Sequence, residues 1–230
     1  MDLRGGETIL DLGAGQGWAS RHFAERGAQV VAMDVVPDEL YGLGRAWAIM
    51  DHAGVYFEPI VGDGLHLPFP AGTFDFVFFC GALHHFERFD VVLREVRRVL
   101  RPGGRMIATS EPAISVATRE RDVQAGIEEV KKGIVERRPR VLGYWLPLVR
   151  AGFRRVRIDS LQTYRASPEQ TIAWIVAAEL RALAAVRTRY RPLVRLGFAL
   201  LRRLPYRLSG QLLLFLGGGI LLIRANAPTR

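Results

Sequence analysis

Short apolar runs alternate with amphipathic stretches in the first half of the chain, the pattern of a parallel β-sheet covered by helices. The run 74–80 is almost wholly apolar, as expected for a strand that is buried on both faces. In 89–100, valine and leucine alternate with arginine and glutamate at helical spacing. The pattern predicts strands at Thr8–Leu12, Gln29–Met33, Val55–Val61, Phe74–Cys80 and Arg105–Ser110, and helices at Trp18–Arg26, Pro37–His52 and Phe89–Leu100.

The second half of the chain is less regular, and its predicted elements are mostly helical. Ser167 and Pro168 suit the N-cap and the first position of a long helical stretch that continues to Leu204. We expect this stretch to be interrupted at Pro192 and Pro205. The other predicted elements are helices at Ser115–Val135 and Tyr144–Ala151, and strands at Arg154–Leu161 and Ile220–Ala225.

The first predicted strand runs into a turn with three glycines at alternate positions, Gly13, Gly15 and Gly17. Such a turn lets a ligand approach the backbone closely, because a side chain there would block it. The spacing is G-x-G-x-G, and Trp18 stands where a dinucleotide fingerprint would have its third glycine. We therefore expect a nucleotide-like cofactor other than NAD or FAD, with an ordinary tight turn as the alternative.

Asp34 ends the second predicted strand, at the edge where the glycine turn also lies. A carboxylate there offers two acceptor oxygens to the two hydroxyls of a ribose. The alternative is an aspartate that only caps a helix or a loop.

Four motifs over residues 7–112 resemble the class I S-adenosylmethionine (SAM)-dependent methyltransferases of the small-molecule, type 11-like family. They come in the family's order along the chain. These motifs are Asp11-Leu12-Gly13-Ala14-Gly15-Gln16-Gly17, Gly62-Asp63-Gly64-Leu65-His66-Leu67-Pro68-Phe69, Thr73-Phe74-Asp75-Phe76-Val77 with Leu83-His84-His85-Phe86, and Glu95-Val96-Arg97-Arg98-Val99-Leu100-Arg101-Pro102-Gly103-Gly104.

The resemblance implies a Rossmann-like α/β fold, with a seven-stranded, mostly parallel sheet and an antiparallel last strand. It also implies SAM as the cofactor and a role for each matching residue. Gly13, Ala14 and Gly15 would pass under the methionine part, and Asp11 would place its ammonium group. Asp34 would hold the ribose. The adenine would contact Asp63, Gly64 and Leu65, and the methionine end would contact Cys80 and Gly81.

The chain departs from the family in two places. Few residues precede the first predicted strand, where the family has helices that cover SAM, and about 55 residues separate the sixth strand from the seventh. We expect 1–164 to be the SAM-binding core, 165–216 to be a helical insertion or cap, and 217–230 to be the last strand and tail. The cap would replace the missing cover or bind the substrate.

His84 and His85 follow the fourth predicted strand, where a substrate would meet the methyl group. An imidazole can take a proton from a hydroxyl group that attacks the methyl carbon. The alternative is that one histidine only packs or shapes the pocket, since methyl transfer needs mainly alignment. The spacing of the five histidines indicates no metal site.

Composition and charge narrow the possible partners. Hydrophobic residues make up 49% of the chain, and its one cysteine, Cys80, suits a reducing, cytoplasmic setting. Residues 1–118 carry a net charge of −5, whereas 119–230 carry +14. The basic half favours an anionic partner such as a membrane surface or nucleic acid, unless the excess of arginine only reflects an arginine-rich composition.

The stretch 187–207 concentrates this charge, because it interleaves arginines with leucine, valine and phenylalanine. It suits an amphipathic helix that lies on an anionic membrane, giving a peripheral contact. The alternative is a helix whose apolar face packs on the domain while its arginines face water.

Three functions follow from these patterns. The first is a SAM-dependent methyltransferase that acts on a small-molecule or lipid-like acceptor. The second is an RNA methyltransferase, although Cys80-Gly81-Ala82-Leu83 is not the Asn/Asp-Pro-Pro-aromatic motif of many such enzymes. The third is a SAM-binding regulatory protein without transferase activity. The acceptor atom and the oligomeric state have no signal in the sequence.

Overall fold

A seven-stranded sheet forms the centre of the computed structural model, which describes residues 1, 3–114, 137–161, 168–185, 187–205, 208, 211–212, 214 and 218–229. The strand order is β3-β2-β1-β4-β5-β7-β6. The strands are β1 (Thr8–Leu12), β2 (Gln29–Asp34), β3 (Glu58–Val61), β4 (Phe74–Cys80), β5 (Leu100–Ile114), β6 (Arg154–Ser160) and β7 (Gly218–Asn226).

The direction of the strands confirms the predicted sheet. Strands β1 to β5 pair in parallel, and β7 lies antiparallel between β5 and β6. Every strand except β7 therefore ends at the same side of the sheet, which we call the carboxyl edge. Ligands of open α/β sheets bind at this edge.

Helices cover both faces of the sheet. On one face, α1 (Trp18–Ala24) and α2 (Ala46–Ala53) pack on Phe76 and Phe78 of β4. On the other face, α3 (Phe89–Val99) and α4 (Val141–Arg150) pack on Val77 and Phe79. The side chains of β4 alternate between two apolar layers, which is why almost the whole strand is hydrophobic.

The helix predicted at Pro37–His52 begins much later than expected, because a compact loop precedes α2. The Asp38 carboxylate accepts bonds from the backbone N–H groups of Leu40 and Tyr41, both at 2.8 Å. A side-chain carboxylate that bonds the following N–H groups stabilises a turn instead of a helix. A Cβ atom on Gly42 would lie 1.9 Å from the Val36 carbonyl oxygen, so the loop also needs that glycine.

Several other boundaries shift. Strand β5 is longer than predicted, since β7 pairs with it as far as Ile114 beyond a bulge between Thr109 and Glu111. Helix α1 ends at Ala24, before the predicted Arg26, whereas α4 begins at Val141, before the predicted Tyr144. Strand β3 begins three residues after the predicted Val55.

The C-terminal helical stretch forms two helices that contact each other, α5 (Pro168–Ala185) and α6 (Arg191–Arg203). The stretch is interrupted just before Pro192, which lies in the first turn of α6, where a missing N–H leaves no hydrogen bond unmade. Helix α6 ends at Arg203, before Pro205, as predicted. The predicted helix Ser115–Val135 and the N-cap at Ser167 lie outside the described residues. Within the described ranges, no helix is long and apolar enough to cross a membrane.

Candidate SAM-binding site

The glycine turn lies at the carboxyl edge, directly after β1. Gly13, Gly15 and Gly17 all have positive φ angles, of 73°, 54° and 86°. The Met33 carbonyl oxygen at the end of β2 accepts bonds from the N–H groups of Gly13 and Ala14, at 2.8 and 3.1 Å. The turn is therefore fixed by its backbone and presents that backbone where a ligand would lie.

Asp34 ends β2 and holds the glycine turn through its side chain. Its Oδ2 accepts from the Gly15 N–H at 2.8 Å, and its Oδ1 accepts from the Val36 N–H at 2.9 Å. An ionised carboxylate has about four acceptor positions, so each oxygen keeps one for a ligand hydroxyl. The side chain can fix the turn and bind two neighbouring hydroxyl groups at once.

Asp11 lies beneath the turn and is 1% exposed. Its Oδ2 accepts a bond from the Ser20 hydroxyl of α1 at 2.6 Å. Burial raises the pKa of the Asp11 carboxyl from 3.8 to about 6, with a smaller contribution from the nearby negative charge of Asp34. A cationic group bound over the turn would favour the ionised carboxylate.

This pKa gives stability an unusual pH dependence. Between pH 3.8 and about 6 the folded Asp11 keeps a proton that the unfolded chain has lost. The contribution of Asp11 to the free energy of unfolding therefore falls as pH rises through this window, by about 3 kcal/mol in all, and is constant above it.

Denaturant unfolding from pH 3.5 to 7.5 should show this contribution as a difference between the wild type and Asp11→Asn. Asparagine keeps an acceptor for Ser20 and cannot ionise, so the other carboxyl groups largely cancel in the comparison. If the free energy of unfolding varied with pH in the same way in both proteins, the raised pKa of the folded Asp11 carboxyl would be contradicted.

Residues after β3 form a second loop at the same edge. Asp63 is exposed, and its Oδ1 accepts from the Leu65 N–H at 2.9 Å, which makes a tight turn. A Cβ atom on Gly64 would lie 2.7 Å from the Phe86 ring, so the loop packs closely against the residues after β4. Asp63 and Leu65 therefore lie on one turn at the carboxyl edge.

A buried carboxylate that the sequence pattern did not single out organises the loop after β4. Glu111, on β5, is fully buried. Its Oε1 accepts from the N–H groups of Ala82 and Leu83, both at 3.1 Å, and its Oε2 accepts from the His84 N–H at 3.0 Å. Three backbone donors on one carboxylate fix the loop's path.

The Glu111 carboxylate turns inward because of the bulge in β5. Ser110 just before it has a φ of 61°, a conformation that non-glycine residues rarely adopt. The loop in turn contacts the glycine turn, since a Cβ atom on Gly13 would lie 2.4 Å from the Cβ atom of Ala82. The carboxylate therefore positions one wall of the site without facing it.

The two candidate histidines differ in their surroundings. His84 is buried, and its Nδ1 lies 2.8 Å from Oε2 of Glu111. This contact assigns the ring proton to Nδ1 when the carboxylate is ionised. His85 is exposed, and its ring centroid lies 4.1 Å from that of His84.

Cys80 and Gly81 end β4 beside this loop. The Gly81 N–H donates to the Thr109 carbonyl oxygen at 2.8 Å, with a φ of 60° at Gly81. Burial raises the pKa of the Cys80 thiol, which therefore stays protonated at neutral pH. Both residues lie at the carboxyl edge, and Cys80 supplies no thiolate there at neutral pH.

The structure thus brings the glycine turn, Asp34, the Asp63 loop and the end of β4 to one edge of the sheet. Sequence reasoning missed Glu111 and Ser20. Ser20 follows the glycine motif by three residues on α1, whereas Glu111 carries no local signal, because its partners lie 27 to 29 residues earlier.

Comparison with known proteins finds methyltransferases that are similar to part of this chain. Residues 10–108 match the family model described as a methyltransferase domain. The chain is 38% identical over 111 residues to a demethylmenaquinone methyltransferase of Thermobifida fusca, covering 46% of this chain and 44% of the relative. It is 36% identical over 119 residues to a fatty-acid O-methyltransferase of Mycolicibacterium smegmatis, covering 50% and 42%. Each match thus spans less than half of the relative's length.

The fold has solved counterparts as well. The phosphoethanolamine N-methyltransferase 2 of Haemonchus contortus, in complex with SAM, aligns with a TM-score of 0.63 at 17% identity. The alignment covers 97% of this chain and 49% of that one.

The strand order and the glycine turn give this chain the Rossmann-like fold of methyltransferases. Residues 10–108 are similar to a methyltransferase domain.

The described residues fit SAM, the cofactor of this class. Gly13 and Gly15 form a backbone cradle with no room for side chains, because a Cβ atom would lie 2.4 Å from the Ala82 Cβ atom or 3.3 Å from the Tyr41 carbonyl oxygen. Asp34 keeps acceptor positions for a ligand. Asp11 lies beneath the same turn, where a negative charge would favour an ammonium group.

Proposed function

We propose that this chain binds SAM and transfers its methyl group to a small-molecule or lipid-like acceptor. The observation that carries the proposal is the cradle of Gly13 and Gly15, held by the Asp34 carboxylate at 2.8 Å from the Gly15 nitrogen. SAM supplies a methyl group on a positively charged sulfur, which makes the carbon electrophilic.

The residues that would hold SAM are the ones that the resemblance indicates. The methionine part lies over the glycine turn, and the ionised Asp11 attracts its ammonium group. The ribose bonds to Asp34, and the adenine lies at the Asp63 turn. The full set is Asp11, Gly13, Ala14, Gly15, Asp34, Asp63, Gly64, Leu65, Cys80 and Gly81.

Alignment of the acceptor with the methyl carbon supplies most of the rate enhancement in such a reaction. In our proposal Glu111 keeps the loop 82–84 in place, and His85 is the residue that takes a proton from an acceptor hydroxyl. Its exposure supports this role, whereas His84 is buried against Glu111 and positions the loop.

A lipid-like acceptor is supported by the names of the two relatives, which act on demethylmenaquinone and on a fatty acid. We propose further that 165–216 caps the site. Strand β6 ends and β7 begins at the carboxyl edge, where Ser160 pairs with Leu221, so the segment leaves from this edge and returns to it.

Calorimetry with SAM, followed by methyl transfer from labelled SAM to demethylmenaquinone and to fatty acids, tests the function. We expect micromolar binding, and we expect Asp34→Ala to weaken it about tenfold or more, or about 1.4 kcal/mol. Asp90→Ala, an exposed carboxylate on α3, is the matched control and should bind SAM normally. SAM binding without any methyl transfer, to lipids or to RNA, would favour a regulatory protein.

The surface of α6 supports a contact with anionic membranes. Val194, Phe198 and Leu201 are at least partly buried, so one apolar face packs inward. Leu193, Leu196 and Leu200 form a second apolar stripe, 56–66% exposed, next to several arginines. An exposed apolar stripe with basic neighbours suits the membrane interface.

Flotation with vesicles that contain anionic lipid tests this contact. We expect the wild type to float at low salt and to be released at high salt. Replacing Leu193, Leu196 and Leu200 by serine should abolish flotation, whereas serine at Leu142 and Leu146, two exposed leucines of α4, should not. Flotation that survives the triple replacement would contradict the proposed contact.

A further inference from the structure

A groove of about 670 Å³ lies between α1 and the sheet face formed by β4, β5 and β7. Its floor includes Phe78, Ile107 and Leu222, and Phe23 of α1 and Leu3 form part of its wall. The volume lies within the range of small-molecule sites, and the interior is mostly apolar.

The groove begins beside the proposed cofactor site. Trp18, in its wall, directly follows Gly17 of the glycine turn. Thr109, in its floor, pairs with Cys80 at the end of β4. Arg26 lines it beyond the last residue of α1, so the groove follows this helix for about 10 Å.

The ionisable side chains that line the groove are of the basic type. Among the described residues that line it are His22, Arg26 and Arg224, and none of them is acidic. Arg224 is paired with Asp159 of β6, and His22 with Glu25. Arg26 donates to the His22 carbonyl oxygen at 2.7 Å, and its carbon stem can cover an apolar ligand.

We propose that this groove holds the apolar tail of the methyl acceptor, whose reactive head group lies at the carboxyl edge. This inference rests on the proposed function, and it names the acceptor as a molecule with a long hydrocarbon chain. The tail would run from Trp18 and Thr109 towards Leu3 and Arg26, along Ile107. A polar metabolite would leave these apolar side chains without a partner.

Binding of N-phenyl-naphthylamine, an uncharged fluorescent probe of apolar sites, tests the groove directly and needs neither SAM nor turnover. We expect saturable binding that saturated fatty acids displace, more effectively as the chain lengthens. Trp18 lies in the wall, so it should transfer energy to the probe. Trp18→Phe should reduce that transfer while the probe still binds.

Two substitutions on one face of β5 provide the matched comparison. Ile107→Trp fills the groove and should weaken probe binding at least about tenfold. Arg105→Trp, two residues earlier and outside the lining, should leave it within about twofold. If Ile107→Trp does not fold, energy transfer from Trp18 to the probe in the wild type still tests the groove.

The outcomes separate the groove from the proposed function. Two outcomes would overturn the groove and leave the function standing. The first is SAM binding and methyl transfer without probe binding, and the second is probe binding without energy transfer from Trp18. Probe binding without SAM binding would overturn both. Probe binding at the groove, together with a KM that falls as the acceptor's tail lengthens and rises again in Ile107→Trp, would support the assignment.

Discussion

Gly13→Ala is expected to weaken SAM binding at least about tenfold. The φ of 73° at Gly13 is strained for any residue with a Cβ atom. That atom would also lie 2.4 Å from the Cβ atom of Ala82, so the glycine turn or the loop after β4 must move. Both segments lie where SAM is proposed to bind, so either movement disturbs the site.

Gly72→Ala separates the effect of the clash from that of backbone strain. Gly72 has nearly the same φ, 70°, but a Cβ atom there would have no neighbour within 4 Å. We expect both variants to lose some stability and only Gly13→Ala to lose SAM affinity. Calorimetry showing equal affinities for the two would refute the cradle.

Glu111→Ala is expected to lower the free energy of unfolding by about 3 kcal/mol or more. The substitution removes the acceptor for three backbone N–H groups and a contact to the His84 ring. Each buried group left without a partner costs about 1 to 3 kcal/mol. Water that enters the space would recover part of this loss.

Denaturant unfolding of three variants measures this effect. Glu111→Gln keeps one acceptor oxygen and places an amide N–H₂ group against other donors, so its loss should be intermediate. Asp90→Ala removes an exposed carboxylate that pairs with Arg94 on the surface of α3, and should change stability by less than about 0.5 kcal/mol. If Glu111→Ala changed the free energy of unfolding by as little as Asp90→Ala does, other contacts would be holding the loop after β4.

Local sequence was sufficient to predict the glycine turn. Gly13, Gly15 and Gly17 lie in one turn directly after a strand, so their spacing records the backbone conformation that the turn requires. Asp34 was predictable for a related reason, since the end of a parallel strand places a residue at the ligand edge. The family resemblance added the order and direction of the strands, which hydrophobic periodicity does not carry.

Helix α2 shows where local patterns were misleading. Pro37 and the apolar residues after it indicated an early helix, but the hydrogen bonds of Asp38 stabilise a turn. The backbone N–H groups there bond to a side chain instead of to the carbonyl groups of a helix. Hydrophobic periodicity carries no information about this competition.

The sequence by itself determined the glycine turn, the place of Asp34 and the positions of most strands, because each depends on residues close together along the chain. It determined the fold class through the order of the four motifs that resemble a known family. Only the tertiary structure revealed the burial of Asp11, the carboxylate of Glu111 beneath the loop 82–84 and the groove between α1 and β5. These features join residues from separate segments, such as Phe23 with Ile107 or Glu111 with Ala82. Their chemistry comes from desolvation and close packing, which arise when the sheet brings those segments together.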